Sequence, residues 1–269
     1  MNKKEAQTRD ITGKMILLGT GTSVGVPALG CRCAVCNSDH PRNQRSRCSA
    51  ILGLEQGNLL IDTSPDMRSQ LLREGIGIVH SVLYTHEHAD HIFGLDDLRL
   101  CQFYLGAPVP LYCNETVEDR LRKSFDYAFS DVEQTHVGAV PALEFRRINE
   151  FESFEVLGHE VEPIKLVHGP RFNVIGFRFG DVAYCTDVKS IPAESLEKLH
   201  DLRVLVLGAL REEPHPTHMN FEEALEVLDT IRPAQTYFTH CSCRVDYETA
   251  NRALPDGVEI AYDGLEIEI

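Results

Sequence analysis

The chain reads as an α/β protein in which sheets are covered by helices, and three observations predict it. Short apolar, strand-like runs recur along its length, helical patterns lie between some of them, and the residues best suited to chemistry fall where strand runs end. At 269 residues it can bury a sizeable core. No Pro/Ser/Gly-rich linker, repeat or charge block divides it, so one domain over residues 1–269 is expected.

The elements follow in order. Met15–Leu18, Ala50–Leu54 and Leu59–Asp62 are apolar strand runs, and apolar residues at helical spacing over Asp66–Glu74 predict the first helix. Ser81–Tyr84 reads as a short strand, and the segment from Ile92 to Leu95 as the start of a helix. Leu111–Cys113 predicts a strand and Glu115–Phe125 a helix. Val161–Val167, Val174–Phe179 and Val182–Cys185 are strand runs. Ala193–His200 and Phe221–Thr230 have helical spacing, Asn220 being an apt N-cap for the second, with the strand run Val204–Leu207 between them. Thr236–Thr239 and Val258–Tyr262 complete the strands.

Between the fourth strand and its helix lies Thr85-His86-Glu87-His88-Ala89-Asp90-His91. Three imidazoles and a carboxylate this close are ligands that zinc, manganese and iron share, and without a metal they would crowd charge and unsatisfied polarity. In an extended loop His86 and His88 point to the same side and can clamp one ion, while Asp90 and His91 can face another. A histidine-rich surface loop is the plain alternative. Against it, the chain supplies further ligands at the ends of later strand runs: His168, Asp187 and His240.

A second group lies in Gly30-Cys31-Arg32-Cys33-Ala34-Val35-Cys36, where three thiols fall within six residues. A structural zinc site is closed and four-coordinate, so a fourth ligand must come from elsewhere. Cys243, three residues after His240, is the stronger candidate and Cys241 its close rival.

The H-x-H-x-D-H loop followed in order by His, Asp and His resembles the metallo-β-lactamase superfamily of hydrolases. The resemblance runs from Leu18 to Tyr262 and implies an αββα sandwich, two mixed β-sheets flanked by helices. It implies that His86, His88 and His168 hold one divalent ion, that Asp90, His91 and His240 hold a second, and that Asp187 bridges them, with zinc or manganese in both places. The C-x-C-x-x-C loop with the late cysteine-bearing turn looks like the PhnP-type phosphodiesterases. It implies a structural zinc loop over residues 30–48, closed by Cys31, Cys33, Cys36 and Cys243. The last ligand in those relatives is usually histidine, so this chain departs from them towards four thiolates. The resemblance also implies Asp62 as a support of the metal loop, against the plainer reading of a turn or N-cap aspartate. His218 would be the catalytic helper just before a helix, His215 the weaker candidate, and Asp90 is counted with His218 as catalytic. A homodimer is compatible with the same likeness.

Two adjacent divalent ions lower the pKa of bound water from about 15.7 towards 7, and a hydroxide shared between them is the expected nucleophile. The expected function is hydrolysis of a small or cyclic phosphodiester, with His218 assisting the leaving oxygen or the charged phosphoryl group. The alternatives are hydrolysis of a thioester or lactam, tRNA 3′ processing, and a non-catalytic role like that of PqqB, which shares the early cysteine loop but has a degraded H-x-H-x-D-H segment.

Composition bears on these. The net charge of −15 argues against a broad nucleic-acid platform. Arg99, Arg171, Lys189, Arg211 and Arg244 are the basic residues close in sequence to the proposed site. The first ten residues are polar and charged, and the apolar run Met15–Leu18 is too short for a signal peptide core or a membrane span. With nine cysteines in no regular framework, a cytoplasmic enzyme with reduced thiols and a small-molecule substrate is expected.

Overall fold

A computed structural model describes residues 5–130 and 135–269. Six strands open one sheet: β1 (Lys14–Gly19), β2 (Ser49–Leu54), β3 (Gly57–Ile61), β4 (Ser81–Leu83), β5 (Val109–Cys113) and β6 (Leu143–Arg147). The second sheet holds β7 (Phe154–Val156), β8 (His159–His168), β9 (Phe172–Phe179), β10 (Val182–Cys185), β11 (Val204–Gly208), β12 (Gln235–Thr239) and β13 (Val258–Ile260), and β14 (Leu265–Glu268) returns to the first. The strand orders are β14-β1-β2-β3-β4-β5-β6 and β13-β12-β11-β10-β9-β8-β7. Within each sheet one half is parallel, β3 through β6 and β10 through β13, so these strands present their C-terminal ends together.

Strand alternation explains the layers. Met15 and Leu17 of β1 face inward with Ile175, Phe177, Tyr184 and Val206 of the other sheet, while Ile16 and Leu18 face outward into the cluster that holds Met67 and Leu121 of the covering helices. On the far side Leu205, Leu207 and Phe238 pack on Phe221 and Ala224 of helix Phe221–Ile231. Every residue of β2, β10 and β11 is buried because both faces are covered. Each Leu, Ile or Phe so buried contributes about 1.5–3 kcal/mol of transfer free energy. The arrangement is the two-sheet, helix-flanked α/β fold expected.

The differences from the sequence reading are at edges and ends. β6, β7 and β14 went unread: β6 and β14 carry alternating charges along exposed edges, and β7 has three residues. Helix Tyr247–Ala253 was also missed, and helix Ala193–Glu197 stops short of His200. The helix placed near Ile92 begins earlier, at Ala89, so Asp90 and His91 sit in a first helical turn and not in an extended loop. His88 is its N-cap in extended conformation, so the backbone changes between His86/His88 and Asp90/His91, while the His91 ring still packs 4.2 Å from that of His86.

Candidate metal centre

Asp62, just past β3, organises the site from beneath. Its buried carboxylate accepts the Thr85 backbone N–H and the Thr85 hydroxyl, both at 2.8 Å, and the His91 Nδ1–H at 2.7 Å. A carboxylate only accepts, so His91 gives its Nδ1–H to Asp62 and turns Nε2 towards Asp187. The Thr85 hydroxyl, having donated to Asp62, accepts at 2.9 Å from His86 Nδ1, which frees His86 Nε2. His168 donates Nδ1–H to the Thr217 carbonyl at 2.8 Å. That contact needs the glycine after it: at Gly169, φ +65°, a Cβ would lie 2.6 Å from the Thr217 methyl. The sequence reading missed Thr85 and Thr217, although a hydroxyl just before the first histidine was a visible signal.

The Nε2 nitrogens converge on Asp187. Its Oδ2 lies 3.8 Å from His86 Nε2 and 3.8 Å from His168 Nε2, while its Oδ1 lies 3.3 Å from both His91 Nε2 and His240 Nε2. His88 Nδ1 is 3.0 Å from His86 Nε2, and Asp90 Oδ2 is 3.3 Å from His91 Nε2. Two groups result, His86/His88/His168/Asp187 and Asp90/His91/Asp187/His240, each with its donor atoms within 4.8 Å of one another. Ligands around a zinc ion at about 2.0–2.2 Å stand roughly 3.3 Å apart, close to this spacing.

Further observations fit cations here. His91 Nε2 and both ring nitrogens of His240 are buried without a hydrogen-bond partner among the described residues, a costly state that a metal would relieve. Burial, then the neighbouring His91, pushes the His86 pKa well down, so it is neutral and able to ligate. Burial opposes charge on Asp187, yet His240 and His91 hold its pKa well below the usual carboxylate range. Asp62, Asp187 and His240 all adopt positive φ, at 62°, 51° and 59°, a strain retained only where the surroundings impose it.

His218 stands over both groups, its ring 4.6 Å from that of His168 and stacked 4.7 Å from that of His240. Met219 N–H to Val188 O at 2.7 Å and the Asn220–Glu223 capping box fix this approach. Burial, then His240, lowers the His218 pKa to about 3, so its imidazole is neutral. His215 lies farther out, 5.2 Å from His218 between ring centres. Phe172, which the sequence reading passed over, packs edge-on against His88 at 4.4 Å.

The thiols of Cys31, Cys33, Cys36 and Cys243 also come within 4.8 Å of one another. Backbone N–H groups point at sulfur, Ala28 to Cys36 at 3.3 Å and Cys36 to Cys33 at 3.4 Å, as thiolates require. The Cys36 N–H, with its neighbouring thiols, lowers the Cys33 pKa to about 7. Cys241 is directed elsewhere, its thiol 3.4 Å from the Ala209 carbonyl, so the geometry favours Cys243 over its rival. Of the basic residues, Arg99 pairs with Asp96, Lys189 with Glu223, and Arg211 and Arg244 with Glu213. Arg171 has no ion pair among the described residues.

Residues 57–241 match the family model described as the beta-lactamase superfamily domain, and the chain belongs to that superfamily of metallo-hydrolases. Within it, the solved structure of a diphosphatase from the PhnP family is similar over nearly the whole length, with a TM-score of 0.88 and 41% identity, covering 95% of this chain and 97% of that one. Zinc-bound PqqB from Methylobacterium extorquens has a TM-score of 0.76 at 21% identity over 95% and 100% of the two chains, a likeness of fold. Among curated proteins, the octanoyltransferase of Porphyromonas gingivalis is 36% identical over 256 residues, 94% of this chain and 51% of that protein. The coenzyme PQQ synthesis protein B of Methylorubrum populi is 32% identical over 136 residues, 44% of this chain and 43% of that protein. The chain therefore spans about half the length, or less, of these curated relatives. No described helix is long and apolar enough to cross a membrane.

Proposed function

We propose that the chain is a binuclear metal-dependent phosphodiesterase acting on a small or cyclic phosphodiester. The observation that carries this is Asp187, which turns one carboxylate oxygen to His86 and His168 and the other to His91 and His240. A carboxylate placed between two histidine groups would serve both, the arrangement that two-metal phosphoryl-transfer chemistry calls for. His86, His88 and His168 would hold one ion and Asp90, His91 and His240 the other, zinc or manganese, and such a pair supplies Lewis-acid charge and an activated water. Cys31, Cys33, Cys36 and Cys243 would close a structural zinc site.

The chain's own groups then position and stabilise. Asp62 and Thr85 orient His91 and His86, and Phe172 covers one face of His88. His218, neutral and half-buried, can present its N–H to a phosphoryl or leaving oxygen, a hydrogen bond strongest when negative charge develops there. The likeness to the PhnP-family diphosphatase supports phosphorus chemistry. Nine free thiols fit a reducing, cytoplasmic setting. A small-molecule substrate suits the buried site better than nucleic acid, given the net charge of −15.

A second reading, thioester hydrolysis, has one slender support, a relative 36% identical that is named octanoyltransferase and of which this chain spans 51%. Protein reconstituted separately with zinc and manganese decides between them. We expect about three bound ions per chain by elemental analysis, and metal-dependent hydrolysis of methyl p-nitrophenyl phosphate and of a cyclic phosphate. A single bound ion would remove the binuclear assignment. Turnover confined to an octanoyl thioester or a lactam would remove the phosphodiester one.

A further inference from the structure

A groove adjoins the metal-ligand loop at Glu87, the residue between His86 and His88. Resting on the phosphodiester reading, we propose that this groove of about 510 Å³ binds an uncharged, polar arm of the substrate with one flat face, so that the substrate is an extended diester. The groove follows the strand ends. Glu87 lies after β4, Asn114 after β5, Asn149 and Phe151 after β6, and Arg171 and Asn173 flank Phe172 at the β8–β9 turn. Because β4, β5 and β6 are parallel neighbours, their C-terminal ends open on the same edge as His86 and His88. Phe172, packed on His88, stands in the chain between the groove residues Arg171 and Asn173.

The lining defines the ligand's chemistry. Asn114 spends its side-chain oxygen on the Val117 N–H at 3.0 Å, and Asn149 spends its own on the Phe151 N–H at 3.1 Å. Their amide N–H groups are left as donors, beside Asn173 and the Arg171 guanidinium. Acceptors come from Glu87, Glu115 and Glu150, the last two held by Arg147 at 2.9 Å and Lys165 at 3.4 Å. With Glu115 and Glu150 paired, the charges left at the groove among the described residues are Glu87 and Arg171, one of each sign, so neither an anionic nor a cationic arm is favoured. A neutral group carrying hydroxyls or amides meets partners of both kinds. Phe151, 55% exposed at the groove although the Lys165 ammonium lies 5.2 Å from its ring centre, supplies a flat apolar surface for a ring.

The test uses the full chain, reconstituted with zinc, and two esters with one leaving group: thymidine 5′-(p-nitrophenyl phosphate), which has such an arm, and methyl p-nitrophenyl phosphate, which lacks it. Saturation-transfer NMR with thymidine alone reads the groove without catalysis. Thymidine should bind the parent protein, and Phe151→Ala and Asn173→Ala should weaken that binding. The same variants should lower kcat/KM for the thymidine ester by about 2- to 10-fold more than for the methyl ester. No thymidine binding by the parent, or equal losses on both esters, overturns the groove. If the parent hydrolyses neither ester, the phosphodiester reading falls, and the NMR result still decides whether the groove binds.

Discussion

Replacing Asp62 with Asn tests how the site is organised, because it keeps shape and removes one acceptor. In the parent, Oδ1 serves the Thr85 N–H while Oδ2 serves both the Thr85 hydroxyl and His91 Nδ1–H. An Asn amide must turn its NH₂ to one of these oxygen positions. Facing the Thr85 N–H it sets donor against donor, and facing His91 it does the same to Nδ1–H. The alternative is for His91 to move its proton to Nε2, the nitrogen needed beside Asp187. A buried donor left without an acceptor costs about 1–3 kcal/mol, and 1.4 kcal/mol is tenfold in affinity. Metal affinity at the Asp90/His91/His240 group should therefore fall roughly 10- to 100-fold, the range typical when a ligating histidine loses its carboxylate partner. The His86 group, linked through the Thr85 hydroxyl, should lose less. Competition with a chromophoric chelator measures both steps, and circular dichroism checks that the chain stays folded. Parent-like affinity at both groups in a folded variant would refute the orienting role.

Three further outcomes follow from the geometry. Cys33→Ser should release one zinc equivalent and lower the thermal midpoint, by roughly 2–4 °C for each kcal/mol lost; differential scanning calorimetry with metal analysis checks this, and a parent-like midpoint would end the structural role of the thiol cluster. His218→Ala should keep both ions and lose about 10²- to 10³-fold in turnover, as when one oxyanion donor is removed. Since its imidazole is neutral, the losses on p-nitrophenyl and alkyl leaving groups should be similar; a loss concentrated on the alkyl ester would mark a general acid instead. Glu118 pairs within helix Glu115–Ser124 with Arg122 at 2.8 Å and ties that helix to β6 through Arg147 at 2.7 Å. Burial raises its pKa, but Arg147 and then Arg122 prevail and hold it below the ordinary value of about 4.3. Its contribution is present above that value and lost as pH falls through the folded pKa. Glu118→Gln should therefore flatten acid denaturation there and cost about 1 kcal/mol or less at pH 7, since both arginines are about half exposed.

Much of the site is local chemistry, and the sequence by itself determined that part. His86, His88, Asp90 and His91 lie so close along the chain that no fold could separate them, and the strand runs before His168, Asp187 and His240 carry a legible apolar pattern because at least one face of each is buried. The same holds for the thiols of Cys31, Cys33 and Cys36. Long-range packing decided the rest. Whether Cys243 or Cys241 joins those thiols depends on which side of one turn faces a loop some two hundred residues earlier, and alternation of side chains cannot reveal the facing loop. Which oxygen of Asp187 meets which histidine, the hydroxyl of Thr85 linking Asp62 to His86, and the carbonyl of Thr217 under His168 exist only when distant strand ends meet. The edge strands β6 and β14 were illegible for the same reason: half exposed and charged, they carry little apolar pattern, and only pairing with β5 and β1 makes them strands.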